Sequence, residues 1–373
     1  MLELAHLYLI SLIFALGVLL LLASKSNKTL GDALLMVFIG LLTINYASMY
    51  GIQQSPDQTR WLAEISDASL FLYGPLMWWY TLSYTELDFR LSFVYLGHGF
   101  PFMLAVAILE RPILAGTAID SADRVVLMVL KMLSVGLYLL MVLRSLQRYQ
   151  RRLKQFFSAT EKLQLDWLYF LTLCSLGLWL LAVVSLGLFY GFGVNIPFHG
   201  GLYANIGSSL FIFVIGGYGF RQKQVFAPIE VFRSVDIQDT TNQQELPKYR
   251  NSGLKETEEA AAHTRLLAFM QETQPYLDQE LTLFKLAEAT HLSPNHLSQI
   301  INSREQVNFF DFVNRYRVEQ VKGVMSSPQF QHLTLLGMAM EAGFKSKASF
   351  NRAFKKFTGQ TPSEYRKSLD QSG

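Results

Sequence analysis

The stretch LTLLGMAMEAGFKSKASFNRAFKKFTGQTPSEYRK, Leu333 to Lys367, has the pattern of helix, tight turn, helix. Leu333, Leu336, Ala339 and Met340 recur at helical spacing, and Gly343 interrupts them where a left-handed residue ends a helix. Ser346 stands at an N-cap position before a second helix whose Phe350, Phe354 and Phe357 form one apolar stripe. The opposite face carries Lys347, Asn351, Arg352, Lys355 and Lys356. From Gly343 to Lys367 there are seven Lys or Arg against one acid, Glu364. One apolar face and one cationic, amide-bearing face suit a helix that enters the major groove of DNA. A merely solvated basic helix would carry the same residues, and on this stretch alone the two stand level. Thr361-Pro362-Ser363-Glu364 adds a capping box with proline at the first helical position.

Away from this stretch the composition changes. Of the 373 residues 51% are hydrophobic and 16% charged, which one ordinary soluble domain does not show. The excess lies before Phe226. Cys174 is the single cysteine, so an intrachain disulfide framework and a cysteine-rich zinc site are excluded. The net charge of +3 says little, because the bases are clustered.

Seven apolar runs precede Phe226, roughly Leu4–Ala23, Leu30–Tyr50, Ala68–Tyr84, Phe93–Leu109, Val125–Leu146, Trp167–Phe192 and Leu202–Phe220. A helix crossing a bilayer needs about 20 apolar residues. The third and fourth runs are short and interrupted by Pro75 and Pro101. The first does not look like a signal peptide, since no basic residue precedes it and no small-residue cleavage site follows. Loop lysines and arginines give the orientation. With the N-terminus outside, the inner segments hold Lys25, Lys28, Arg90, Arg144, Arg148, Arg151, Arg152, Lys154, Lys162, Arg221 and Lys223, eleven in all. The outer segments hold three, Arg60, Arg111 and Arg124. This balance predicts a multi-pass inner-membrane protein in contact with membrane lipid, its C-terminus in the cytoplasm.

From Phe226 to about Gly253 the pattern dissolves into a polar connector, whose 28 or so residues span roughly 30 Å as a coil. Lys255–Glu272 is expected to be helical, with Ala262, Leu266, Phe269 and Met270 on one face. A further helix-turn-helix follows from Leu281. Leu283, Leu286 and Ala287 have core spacing, His291 sits at the turn, and Ser293-Pro294 opens the next helix. In that helix Leu297, Ile300 and Ile301 face inward; Asn295, His296, Ser298, Gln299 and Asn302 face out. A helix over Asn308–Met325, about 27 Å long, can hold two recognition helices in consecutive major grooves, about 34 Å apart.

The run Gly343-Phe344, Ser346, Phe350, Arg352, Phe354-Lys355-Lys356, Thr358-Gly359, Thr361-Pro362, Tyr365-Arg366 resembles the second helix-turn-helix of AraC-type transcription regulators. Leu286-Ala287, Leu292-Ser293, Leu297-Ser298 and Phe309…Asn314…Arg317 resemble the first. The resemblance covers about Leu281 to Lys367. The apolar region is similar, more loosely, to the membrane-bound branch of that family. Two positions depart from it: His291 and Gln306 stand where the family usually has glycine. Histidine tolerates positive φ, whereas Gln306 predicts a locally different turn.

The resemblance implies an all-α protein: a polytopic transmembrane helix bundle of seven spans, then a cytoplasmic double helix-turn-helix domain. The expected divisions are a membrane domain at 1–225, a linker at 226–253, a connecting helix at 254–280 and a DNA-binding domain at 281–373. It further implies double-stranded DNA and RNA polymerase as partners. Base contacts fall to Asn295, Ser298 and Gln299 in the first head and to Lys347, Asn351 and Arg352 in the second; Lys355 and Lys356 meet phosphates. A homodimer is expected, through the apolar face of Lys255–Glu272 or small-residue faces such as Gly187 with Gly191 and Ala204 with Ser208; packing of Lys255–Glu272 on the first head of the same chain is an equal alternative use of that face. For an incoming signal ligand the candidates are Asn45, Asp67, Lys131, His199 and Asn205, all in the outer half of the membrane. The plain alternative has Lys131 snorkelling and Asp67 capping its helix. No metalloprotease, esterase or metal-cluster signature appears, so no enzyme, metal or cofactor is expected. A transporter or enzyme with a regulatory DNA-binding tail, and a scaffold whose tail docks protein, are the competing functions.

Overall fold

The computed structural model describes residues 2–86, 89–115, 120–160, 163, 165–194, 207–214, 253–330 and 332–372, and every regular element among them is a helix. Two compact units make up the chain. One contains Met1–Gln147 and Leu165–Ile229; the other contains Arg148–Gln164 and Glu230–Gly373.

The first unit holds α1 (Leu2–Ala23), α2 (Leu30–Gln54), α3 (Pro56–Ala68), α4 (Leu70–Thr85), the single turn α5 (Phe93–Leu96) and α6 (Phe100–Ala115). It also holds most of α7 (Ser121–Phe156) and all of α8 (Asp166–Phe192). Among the described residues four helices are long and apolar enough to cross a membrane, within α1, α2, α7 and α8. Their outward side chains are greasy: Ile10 and Leu20 on α1, Phe170, Val184 and Phe192 on α8 are all exposed. A helix apolar on every side is buried, either in a protein core or across a membrane.

The expected third and fourth spans take another form. The third run is α4, 16 residues with Pro75 inside it. The fourth breaks into α5, a 3-10 turn and α6, also 16 residues. Sixteen residues rise about 24 Å against a hydrocarbon core about 30 Å thick, so a span at either place requires local thinning of the bilayer. Of the seventh run only 207–214 is described, and it is helical. The linker at 226–252 lies outside the described residues.

The second unit contains α9 (Gly253–Glu272), α10 (Leu283–Ala289), α11 (Pro294–Arg304), α12 (Phe309–Ser326), α13 (Leu335–Glu341), α14 (Lys347–Thr358) and α15 (Pro362–Ser372). Its helices begin where their caps say they should. Thr282, Ser293, Asn308, Thr334 and Ser346 each accept a backbone N–H of the first turn, and such a cap contributes about 1 kcal/mol. Thr361 and Glu364 close the expected capping box.

Helix α12 feeds two cores. Its first half gives Phe309, Phe312 and Val313 to the core of head one, with Leu283, Leu286, Leu297 and Ile300. Its second half gives Val318, Val321, Val324 and Met325 to head two, with Met338, Ala339, Phe350 and Phe354. A fully buried Phe or Leu contributes roughly 1.5–3 kcal/mol, so each head is held to the shared helix by several such side chains. Ala262, Leu266 and Met270 of α9 lie in the first core. The apolar face offered above for a dimer is therefore already covered within the chain.

Both heads close their first helix in the same way. Gly343 has φ 89° and His291 φ 54°; Phe344 N–H donates to Ala339 O and Leu292 N–H to Ala287 O, each at 2.9 Å. The expected departure at Gln306 does not occur. Its φ is 56°, a left-handed conformation costing a non-glycine residue about 1–2 kcal/mol, and its side-chain amide donates to Ser303 O at 2.8 Å.

Candidate nucleic-acid interface

The second helix of each head, α11 and α14, has one face in a core and the other outside it. On α14 the buried residues are Ser349, Phe350, Ala353 and Phe354. Lys347, Asn351, Arg352, Lys355 and Lys356 are exposed. On α11 Leu297, Ile300 and Ile301 are buried, Gln299 is exposed, and Asn295 and Ser298 are half-buried. The eight residues expected to meet DNA thus lie off the two cores. Asparagine and glutamine amides match the donor–acceptor pair of adenine, and arginine or lysine matches the two acceptors of guanine.

Lys356 differs from its neighbours. Its Nζ lies 2.7 Å from Asp311 Oδ2, so a phosphate must compete with a carboxylate for it. Ser298 Oγ accepts a long bond, 3.4 Å, from Asn302 Nδ2.

Beneath the reading helices charged groups are tied together. Glu305 accepts from Arg315 and lies 2.6 Å from His263 Nε2. Burial pushes the Glu305 carboxyl up, but Arg315 and His263 outweigh it and hold the group below its ordinary value of 4.5. Asp278 is likewise raised by burial and lowered further by Lys285 and the Glu280 N–H, with a net fall.

The structure adds a residue whose role sequence reasoning missed. Arg317 is 1% exposed, in the middle of α12 between the two cores. Its Nε donates to Tyr276 O and its Nη2 to Asp278 O, both at 2.8 Å. On the other side it faces the Phe344 ring, 5.9 Å from the centroid. The sequence does hold the signal: Arg317 stands four residues from both Val313 and Val321, on the core stripe of α12. An arginine on such a stripe needs buried acceptors.

In the first unit, Lys131 pairs with Asp67, and Asn45 Nδ2 donates to Ser66 Oγ at 2.9 Å. His199 and Asn205 lie outside the described residues. The same unit holds a half-open apolar chamber of about 440 Å³ whose lining includes Phe38, Tyr73, Tyr138, Trp179, Ser208 and Phe211.

Residues 286–368 match a family model described as a helix-turn-helix domain. Over 91 residues the chain is 36% identical to an uncharacterized HTH-type transcriptional regulator of Staphylococcus aureus, covering 24% of this chain and 12% of that protein. A Bacillus subtilis regulator described in the same words is 32% identical over 89 residues, 24% of this chain and 11% of its own length. One from Escherichia coli is 30% identical over 108 residues, 28% of this chain and 37% of its own. A solved structure of a Listeria innocua protein of unknown function is 30% identical, with 28% of this chain and 93% of that one covered and a TM-score of 0.25. The chain thus spans well under half the length of these regulators. Two capped heads on one shared helix, matched over those residues, make the C-terminal part of this chain an AraC-type helix-turn-helix domain.

Proposed function

We propose that this protein is a membrane-integrated, sequence-specific transcription regulator that couples a signal at the membrane to promoter binding in the cytoplasm. The observation that carries this reading is the division of α14, with phenylalanines inside and Lys347, Asn351 and Arg352 outside, on a chain with four bilayer-length apolar helices. Asn295, Ser298 and Gln299 read bases through head one, and Lys347, Asn351 and Arg352 through head two. Lys355 and Lys356 hold phosphates. The divisions 1–225, 226–253, 254–280 and 281–373 serve as membrane domain, linker, connecting helix and DNA-binding domain, with the N-terminus outside and seven spans. The protein acts as a homodimer on repeated half-sites and engages RNA polymerase at the promoter.

The signal enters from the outer side at the polar group of Asp67, Lys131 and Asn45, and His199 and Asn205 remain the further candidates named from the sequence. The apolar chamber offers a second entry, for a lipophilic ligand. In either case the ligand acts only by preferring one helix packing over another. Crosslinking of the tagged full-length protein to chromosomal DNA, followed by sequencing, is expected to recover a few discrete sites with repeated half-sites. Recovery indistinguishable from an untagged control would refute the reading.

A further inference from the structure

The smaller stretch of the second unit, 148–164, is seated against head one and α12. Ser158 is 1% exposed. Its N–H and hydroxyl both donate to Leu281 O, at 3.3 and 2.6 Å. Its carbonyl accepts from Arg317 Nη1 at 3.2 Å and from Asn314 Nδ2 at 3.4 Å, and its hydroxyl accepts from Arg317 Nη2 at 3.1 Å. Around it Phe157 forms an antiparallel bridge with Thr282. Phe156 stacks on Phe284, ring centroids 6.1 Å apart, and Lys154 Nζ lies 5.9 Å from the centre of the Phe310 ring.

The partner of this seat is Arg317, the group between the two heads. Gly343, in the turn of head two, leaves no room there: a Cβ on it would lie 2.3 Å from Tyr276 O and 3.0 Å from Arg317 Nε. The guanidinium therefore ties head one, head two and Ser158 into one network. Without Ser158, Nη1 retains the long bond to Asn314 Oδ1, 3.4 Å, and Nη2 retains Asp278 O, so a buried cation keeps fewer acceptors in a site closed to water and its neighbours must adjust. The seated residues continue directly from α7, which is unbroken over 36 residues and contains no proline. Earlier turns of α7 carry Lys131 and line the apolar chamber with Val135, Tyr138, Leu139 and Val142.

We propose that Lys154–Thr160 is the regulatory input of the DNA-binding unit, an interaction surface on head one and α12 whose occupant is the end of α7. Seated, the segment fixes the two heads in one mutual setting through Arg317; withdrawn, it releases that setting. This rests on the regulator reading above, and it makes α7, rather than the linker at 226–253, the path by which the signal arrives.

The test uses the full-length protein in lipid nanodiscs with Cys174→Ser. Two variants are made in the inserted segment: Ser158→Arg, which sets a second cation against Arg317, and Phe156→Asp, which removes the ring stack. Cysteines at Phe157 and Thr282 report seating by oxidative crosslinking, and hydrogen exchange of α11 and α14 reports the fold. The probe is the duplex carrying the strongest crosslinked chromosomal site. The expected result is loss of the crosslink, retained exchange protection, and operator binding at least tenfold weaker. Unchanged affinity after loss of the crosslink would overturn the proposal. Collapse of protection in both variants would also overturn it, by making the segment part of the head's own fold. Absence of DNA binding by the parent protein would remove the regulator reading itself and this proposal with it.

Discussion

Two glycines of head two make a controlled pair. Gly343 and Gly359 both hold positive φ, 89° and 77°. Alanine at either site incurs the left-handed penalty of about 1–2 kcal/mol. At Gly359 nothing lies within 4 Å of the new Cβ, so the penalty ends there. At Gly343 the Cβ would lie 2.3 Å from Tyr276 O, a backbone atom that accepts from Arg317 Nε. Relieving that overlap costs about 1–3 kcal/mol of overpacking, and loosening a hydrogen bond to a charged group adds up to about 1.5–3 kcal/mol. Gly343→Ala is therefore expected to destabilise the unit by about 2–8 kcal/mol, a large share of the roughly 5–15 kcal/mol that holds a domain folded. Amide hydrogen exchange of α12 and α14 in the full-length protein measures the difference. With every 1.4 kcal/mol worth tenfold, Gly343→Ala should open these helices at least about tenfold more readily than Gly359→Ala. Equal exchange in the two variants would show that the Tyr276–Arg317 contact does not brace head two.

Arg352→Ala is expected to relax specificity at one base position, losing about 1–3 kcal/mol of discrimination there; equal loss on every sequence in a binding-selection assay would remove its assignment as a base reader. Lys355→Ala should weaken all sequences alike and reduce the salt slope by about 0.9. Lys356→Ala should reduce it by less, because Lys356 must first leave Asp311; salt titrations of both variants distinguish the two cases. Asp67→Asn and Lys131→Met, singly and together, are expected to abolish the signal response at normal membrane abundance, measured by promoter output; a retained response would place the input elsewhere. Glu305, whose folded pKa lies below its ordinary 4.5, contributes stability that is present above that pH and is lost as pH falls through the lower folded value. Glu305→Gln should remove this acid-side loss in exchange measurements of head one.

The C-terminal half was the more legible in sequence, for a physical reason. Caps and left-handed turns are local, so Ser293, Ser346, Gly343 and the Thr361–Glu364 box mark boundaries without knowledge of the fold. The connecting helix expected over Asn308–Met325 is Phe309–Ser326. Phase was harder in α13, where Leu and Met crowd seven residues: Met338 is buried and Met340 is 45% exposed, and Leu333 precedes the helix. Eight exposed or half-buried reading positions follow from the phase of α11 and α14. Their partners do not: the Lys356–Asp311 pair and the Ser158–Arg317 seat join residues far apart in sequence, which no periodicity records. In the apolar half the sequence left open whether Lys131 snorkels or finds a partner, and the structure pairs it with Asp67. The glycines were not: Gly40, Gly177 and Gly187 have open space, whereas Gly74 and Gly136 lie against Tyr138 and Trp179.

On α14 the main core residues and the expected contact residues are separate side chains: Phe350 and Phe354 are inside, Asn351, Arg352 and Lys355 outside. Surface substitutions usually change stability by within about 0.5 kcal/mol, whereas one altered base contact shifts discrimination by about 1–3 kcal/mol. On the proposed reading, in which this face meets bases, mutational drift there can rewrite which promoters a lineage controls while the fold is conserved. Regulatory networks built on this helix can diverge one residue at a time, without passing through an unfolded ancestor.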